Sequence, residues 1–281
     1  LALNTIDAGV FSQKYPIFTS EMKNLAIIIL CVVCATILSA QKPADESLQV
    51  LYKKEAYGGV SLNMNGFGAF FTYAKYKSAY KLNLYNFDLN FVKHEKETKA
   101  WSPINDPNAR PYFYGKQNNL YTFRAAFGKK YIIAPKLRSK GVQVAYSWQA
   151  GPVFGFTKPI YLEIIHFVDS SPNQYYIEVE KFDPDKHYTD NIYGRASGLR
   201  GFNELKFHPG IFGKFAFNFD YSNDKQGLKG IETGVAVDAY SQRIPIMTPK
   251  VLDDKLNNPR NHQFFISAYI NFFFGSKFDK K

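Results

Sequence analysis

The stretch Phe207–Ser222, FHPGIFGKFAFNFDYS, sets Phe207, Ile211, Phe215, Phe217, Phe219 and Tyr221 on one parity and His208, Lys214, Asn218 and Asp220 on the other. Side chains of a strand alternate between two faces, so a strand here has one aromatic face and one polar, charged face. Two such faces need different surroundings, and the rest of the chain indicates what they are.

The same period of two recurs from Tyr57 onward. Ile231, Thr233, Val235, Val237 and Ala239 alternate with Glu232, Gly234, Ala236, Asp238 and Tyr240, and the segment HQFFISAYINFFF sets Phe264, Ile266, Ala268, Ile270, Phe272 and Phe274 against Phe265, Ser267, Tyr269, Asn271 and Phe273. This periodicity predicts ten strands, approximately 57–64, 67–76, 80–93, 118–129, 141–150, 152–165, 174–182, 206–221, 229–242 and 262–275, with eight or twelve as the neighbouring counts. Many of them exceed the roughly 5 to 6 residues of soluble strands and match the roughly 9 to 11 of a tilted transmembrane strand with some overhang.

Composition agrees. The 281 residues include 20 Tyr and 26 Phe but only 21% charged residues, and mean hydropathy is slightly negative. Apolar side chains are therefore dispersed among polar ones and not gathered into spans. A soluble β-sandwich or lipocalin-like barrel would also alternate, but its polar parity would be rich in Lys and Glu. Here that parity favours Gly, Ala, Ser, Asn and Gln, as a narrow lumen filled by small or paired side chains requires. The fold expected is all-β, an antiparallel up-and-down transmembrane β-barrel. With the N-terminus on the periplasmic side, the connections KSA, VDSSPN and SNDKQG are short turns there. Long connections at 94–117, 183–205 and 243–261 face outside, the usual asymmetry of outer-membrane barrels. Two-residue turns at Asn65–Gly66 and Gly151–Pro152 and the basic turn KKYIIAPKLRSKG fit that scheme less well.

Ahead of the barrel, MKNLAIIILCVVCATILSAQ from Met22 has a basic start, an apolar run from Leu25 to Leu38 and small residues at its end, the form of a secretory signal peptide cleaved between Ala40 and Gln41. The run is shorter than the roughly 18 to 20 residues of a membrane-crossing helix. The expected organisation is a leader at 1–21 outside the fold, the signal at 22–40, a short periplasmic segment at 41–56 and the barrel at 57–281. Both cysteines, Cys31 and Cys34, fall in the signal, so the mature chain has no thiol chemistry. The net charge of +11 belongs wholly to the mature part and points to anionic surfaces, not to nucleic acid, in an exported protein.

Motifs for catalysis are missing: there is no glycine-rich phosphate loop, no H-E-x-x-H and no G-x-S-x-G. The histidines His94, His166, His187, His208 and His262 show no metal-ligand spacing, so no catalytic, cofactor or metal site is expected. The nearest approach to a catalytic group is His208 with Asn203 and Glu204, with Ser222 or Ser241 as the hydroxyl. On the lumen parity Arg124, Glu163, Lys214, Asp220, Glu232 and Asp238 are predicted to pair across the interior, because an unpaired charge there is costly. Phe215, Phe217, Phe219, Phe264 and Phe272 are predicted to face lipid. The cluster Lys129, Lys130, Lys136, Arg138 and Lys140 reads as a solvated turn, and ASGLRGFNEL as a short helical cap over the mouth.

The segments YGGVSLNMNGFGAFFTYAK, LNLYNFDLNFVKHEKE, DNIYGRASGLRGFNELKFHPGIFGKFAFNFDYS and the ending IPIMTPK with NHQFFISAYINFFFGSKF resemble a group of outer-membrane β-barrel proteins of Bacteroidota, over nearly the whole mature chain. The resemblance implies the cell outer membrane as location and the barrel as fold, and names no catalytic residue. The function expected is a small non-catalytic barrel in contact with outer-membrane lipid, presenting ordered extracellular loops to a protein partner as an accessory subunit of an assembly or export complex. A narrow-pore, porin-like channel or solute-binding barrel and a lipid-modifying enzyme are the alternatives.

Overall fold

The computed structural model describes residues 52–104, 106–136, 141–168, 171–223, 226–248 and 261–278, all within the compact unit Val50–Lys281. The leader, the signal segment with Ala40 and Gln41, and residues 41–51 lie outside the described residues, as do Arg138 and Lys140 of the basic cluster.

Thirteen strands are present among the described residues: β1 Lys54–Asn63, β2 Gly66–Ser78, β3 Lys81–Val92, β4 Lys99–Ala100, β5 Tyr112–Phe113, β6 Asn118–Ala134, β7 Gln143–Pro159, β8 Tyr161–Val168, β9 Ser171–Lys181, β10 Ile192–Arg195, β11 Lys206–Asp220, β12 Gly227–Tyr240 and β13 Phe264–Phe278. Eight of them, β1, β2, β3, β6, β7, β11, β12 and β13, close into a barrel in which each pairs antiparallel with its neighbours in chain order. The ring is completed by β1 against β13, from Lys54 opposite Phe278 to Asn63 opposite Tyr269. Closure removes every strand edge, so the backbone donors and acceptors of the wall are satisfied within the ring.

The barrel has eight strands and not ten, for two reasons. Residues 141–150 and 152–165 are not two strands. Gly151–Pro152 lies inside the continuous strand β7, and the β6–β7 ladder skips Ala125 and Ala126 opposite it. Proline has no N–H to give at that rung, and a Cβ at Gly151 would come within 2.0 Å of the Ala125 carbonyl oxygen, so a pair that elsewhere signals a turn here lets two strands pass closely. The predicted strand at 174–182 is β9, which pairs with β8 in a separate three-stranded sheet of order β10-β8-β9. The segment after Phe167 is accordingly the tip of the β8–β9 hairpin and not a barrel turn.

With this correction the connections sort by length, except for the short β1–β2 hairpin, which lies at the end of the long ones. One end of the barrel, the turn end, carries both chain ends of the barrel and the links β2–β3, β6–β7 and β11–β12. The other, the loop end, carries the tight β1–β2 hairpin and the long links β3–β6, β7–β11 and β12–β13. At that hairpin Gly66 has φ 151, and a Cβ there would meet the Phe91 carbonyl oxygen at 1.9 Å.

Burial is inverted relative to a soluble barrel. Lys214, Asn218 and Asp220 of β11 are buried inside, whereas Phe207, Ile211, Phe215, Phe217 and Phe219 are exposed outside. The other barrel strands repeat the pattern: Asn86, Asp88 and Asn90 are buried while Tyr85, Phe87 and Leu89 are exposed, and Ser267 and Asn271 are buried while Phe264, Ile266 and Ile270 are exposed. On the exterior the rings pair along the ladder, as in Phe87 with Phe123 and Phe123 with Phe154, each at 6.3 Å between centroids.

Candidate functional site

The barrel interior is filled by charges paired with opposite ones. Arg124 donates to Asp238 through Nε to Oδ1 at 2.8 Å and Nη2 to Oδ2 at 2.6 Å, and Lys214 donates to Asp88 Oδ2 at 3.2 Å. Glu232 accepts from Tyr269 Oη at 2.9 Å and Asn271 Nδ2 at 3.1 Å. Toward the turn end Glu55 lies between Lys130 at 3.8 Å and Lys277 at 3.9 Å, and Asp220 between Lys277 at 3.6 Å and Lys136 at 3.0 Å. Burying these groups is tolerable because each carboxylate faces a cation or several donors.

Of the residues predicted to line the interior, Arg124, Lys214, Asp220, Glu232 and Asp238 are there. Glu163 is not: it sits on β8, paired with Val179 outside the barrel, because its parity was counted along a strand that ends at Pro159. Sequence reading missed Glu55, Asp88 and Lys277. It also took Lys130 and Lys136 for solvated turn residues, although Lys129 and Lys130 belong to β6 and Lys136 reaches inward to Asp220 and Ser222. The polar parity of LNLYNFDLN, with Asn86, Asp88 and Asn90, carried the missing signal.

The loop end is sealed by apolar packing. The β12–β13 link turns inward so that Ile244, Ile246 and Met247 join Val92, Leu120, Val153, Phe212, Tyr240 and Phe265 in one buried cluster. Backbone bonds fasten this strap: Gln117 N–H and Asn118 N–H donate to Ile246 O at 2.9 and 3.2 Å, and Thr248 N–H to Gly115 O at 2.8 Å. Asn261 accepts from the amides of Ile246 and Met247 and donates back to Met247 O. The mouth is therefore closed by IPIM and not by ASGLRGFNEL. That segment forms only a three-residue 3-10 helix, Phe202–Glu204, whose Phe202 packs at 6.5 Å from Tyr121 on the outside of the wall.

Beyond the rim stands a second small core. Leu162, Ile164, Phe182, Ile192 and Tyr112 are buried together, with Ala100, Tyr114 and Ile160 against them, so β8, β10 and Phe182 just after β9 pack on the β4–β5 ribbon. Tyr193 Oη donates to Asp106 at 2.6 Å. That bond holds the Asp106 carboxyl below its ordinary range and pushes the Tyr193 hydroxyl up to about 12. On β8 and β9 one side-chain atom each from His166, Glu178 and Glu180 lie within 4.8 Å of one another, a donor set a divalent cation accepts. His187 Nδ1 accepts the Asp183 N–H at 3.0 Å, which leaves its proton on Nε2, 3.2 Å from Glu180 Oε2. His187 thus orients Glu180 and does not join the donor set. Local spacing could not reveal this group, since His166 meets Glu178 and Glu180 only across the hairpin.

A cavity of about 390 Å³ opens on the outer wall at the loop-end rim, with Phe67, Phe91 and Tyr121 among its lining and Lys93, Arg195 and Arg200 around it. Lys116 donates to Glu97 at 2.8 Å inside it, and burial lowers the Lys116 pKa from its ordinary value.

His208 lies on the interior parity at the start of β11, with Nε2 3.0 Å from Thr157 Oγ1. Glu204 is engaged elsewhere, by Lys181 Nζ at 2.6 Å and by Tyr161 Oη, and Ser222 is at the far end of β11. Of the candidates only Ser241 comes near, its N–H donating to Pro209 O at 3.0 Å next to His208; Glu204 and Ser222 do not join it there. Phe215, Phe217, Phe219, Phe264 and Phe272 all take the exterior parity. No protein-family model, curated protein or solved structure matches the chain.

Proposed function

We propose that the chain is an integral outer-membrane β-barrel that works as a non-conducting scaffold, holding an ordered β-sheet outside the cell for a partner protein to bind. The observation that carries this reading is the inverted burial: exposed Phe, Ile, Leu and Val around the wall and a paired charge lattice within. In water such an exterior would far exceed the few hundred Å² of contiguous apolar surface that soluble monomers tolerate. Hydrocarbon is the solvent that suits it. Links beside the chain ends that are shorter than three of the four opposite match the periplasmic and extracellular sides of such barrels.

The closed mouth and the filled interior favour a scaffold over a pore. What remains available is the sheet β10-β8-β9, whose edge strand β9 exposes Tyr175, Tyr176 and Ile177. An edge strand with exposed aromatics suits recognition by strand addition. The membrane part of the reading is tested by migration on a gel in detergent: a barrel runs compact until boiled, whereas a protein that stays soluble without detergent refutes it. The partner part is tested by purification from native membranes. A stoichiometric companion lost when residues 161–181 are replaced by a short linker supports it, and a lone monomer from those membranes refutes it.

A further inference from the structure

We infer that the rim cavity on the outer wall holds a phosphorylated amphiphile of the outer leaflet, with its chain on the aromatic floor and its head group under the basic overhang. The inference rests on the membrane reading above and deepens it.

The floor is continuous along neighbouring strands. Phe67 of β2, Phe91 of β3 and Tyr121 of β6 stand side by side on the exterior, 5.6 and 5.4 Å apart between ring centroids. These residues lie at the loop-end tips of their strands, the level at which aromatic side chains meet head groups. An apolar floor of this kind suits an alkyl chain and gives a bare inorganic anion nothing.

Above the floor the charge is unbalanced. Lys158 Nζ donates to the carbonyl oxygens of Gly198 and Arg200 and lies 4.7 Å from the Phe202 ring centroid. It thereby pins the loop that carries the overhang. Gly201, at φ 83 with Pro159 O only 3.0 Å from where a Cβ would be, makes the bend. Lys116 is paired with Glu97. Lys93, Arg195 and Arg200 have no acidic partner among the described residues, and guanidinium groups match the geometry of phosphate oxygens.

The test uses the full chain folded in dodecyl maltoside and native mass spectrometry with dilauroyl phosphatidylethanolamine as probe. Dilauroylglycerol, which lacks the head group, and inorganic phosphate, which lacks the chain, are run beside it. The expected result is binding of the phospholipid alone, weakened about tenfold in the double variant Arg195→Gln/Arg200→Gln, as the loss of about 1.4 kcal/mol of charge-assisted contact predicts. Lys229→Gln, at the other end of the wall, should leave binding unchanged. Equal binding of dilauroylglycerol or of inorganic phosphate, or full binding by the double variant, overturns the inference. A barrel that shifts on boiling yet binds no phospholipid sinks this inference alone, whereas a chain soluble without detergent sinks the membrane reading beneath it.

Discussion

Arg124 and Asp238 are 114 residues apart in sequence and joined by two hydrogen bonds through the middle of the barrel. They stand on β6 and β12, which are separated along the ring by β7 and β11, so the pair is a strut across the interior and not a contact within the wall. Asp88 approaches the same guanidinium at 4.0 Å. Removing the cation alone leaves Asp238 buried without its counter-charge. Arg124→Met should therefore destabilise the barrel by about 3 to 5 kcal/mol, whereas Arg124→Met with Asp238→Leu should be close to neutral, since Lys214 still serves Asp88. Urea unfolding of the refolded protein measures both, and equal losses in the two variants would contradict the strut.

How far this was legible in the sequence varies by element. The alternation in Phe207–Ser222 sufficed for β11, because with aromatics on one parity a one-residue slip would reverse both faces. Gly151–Pro152 misled, because a local turn signal is silent about which strands lie on either side of it. Residues whose partners are distant in sequence were the hardest. Lys130 is identified as an interior residue only by Glu55, and Ile244 and Ile246 as a plug only by Leu120 and Phe212, which they meet after the ring has closed. His166 with Glu180 failed for the same reason, since the hairpin that joins them was assigned to the barrel wall.

The exterior face of β11 offers a direct contrast of neighbours. Phe215 lies near the middle of the strand, exposed between Trp148 and Val235 on the flanking strands, while Asn218 is buried and donates to Ser147 at 3.0 Å. In a bilayer an arginine at the midplane costs about 2 to 4 kcal/mol. Phe215→Arg should thus lower the folded fraction in liposome refolding assays. Asn218→Ala loses one hydrogen bond, worth about 1 kcal/mol, and should insert normally. A soluble barrel would reverse the ranking.

The strap that seals the mouth is held by packing as much as by backbone bonds. Ile246 is fully buried, and its carbonyl accepts from Gln117 and Asn118. Ile246→Ala should cost about 2 to 5 kcal/mol through the lost contacts and the cavity left behind. Because the strap is a local unit, the loss should show first as faster hydrogen exchange at the Gln117 and Asn118 amides. Protection there equal to wild type would mean the strap does not depend on this side chain.

The hairpin β8–β9 should respond to acid before the barrel does. Burial raises the Glu180 pKa, but hydrogen bonds from His166 at 2.6 Å and His187 at 3.2 Å outweigh it, so the folded carboxyl titrates below its ordinary value of 4.5. A lowered folded pKa means that Glu180 contributes stability fully above the unfolded carboxylate range, and that this contribution is lost as pH falls through the folded value. The Ile165 amide, which donates to Asn191 O at 2.7 Å where β8 meets the β9–β10 link, is a reporter for the loosening. Its protection, corrected for the intrinsic pH dependence of exchange, should be level above the ordinary carboxylate range and fall as the pH drops below it in the wild type. In Glu180→Gln protection should be lower at neutral pH and flat across the same range. A wild-type profile as flat as that of the variant would show that the two histidines do not hold the hairpin through Glu180.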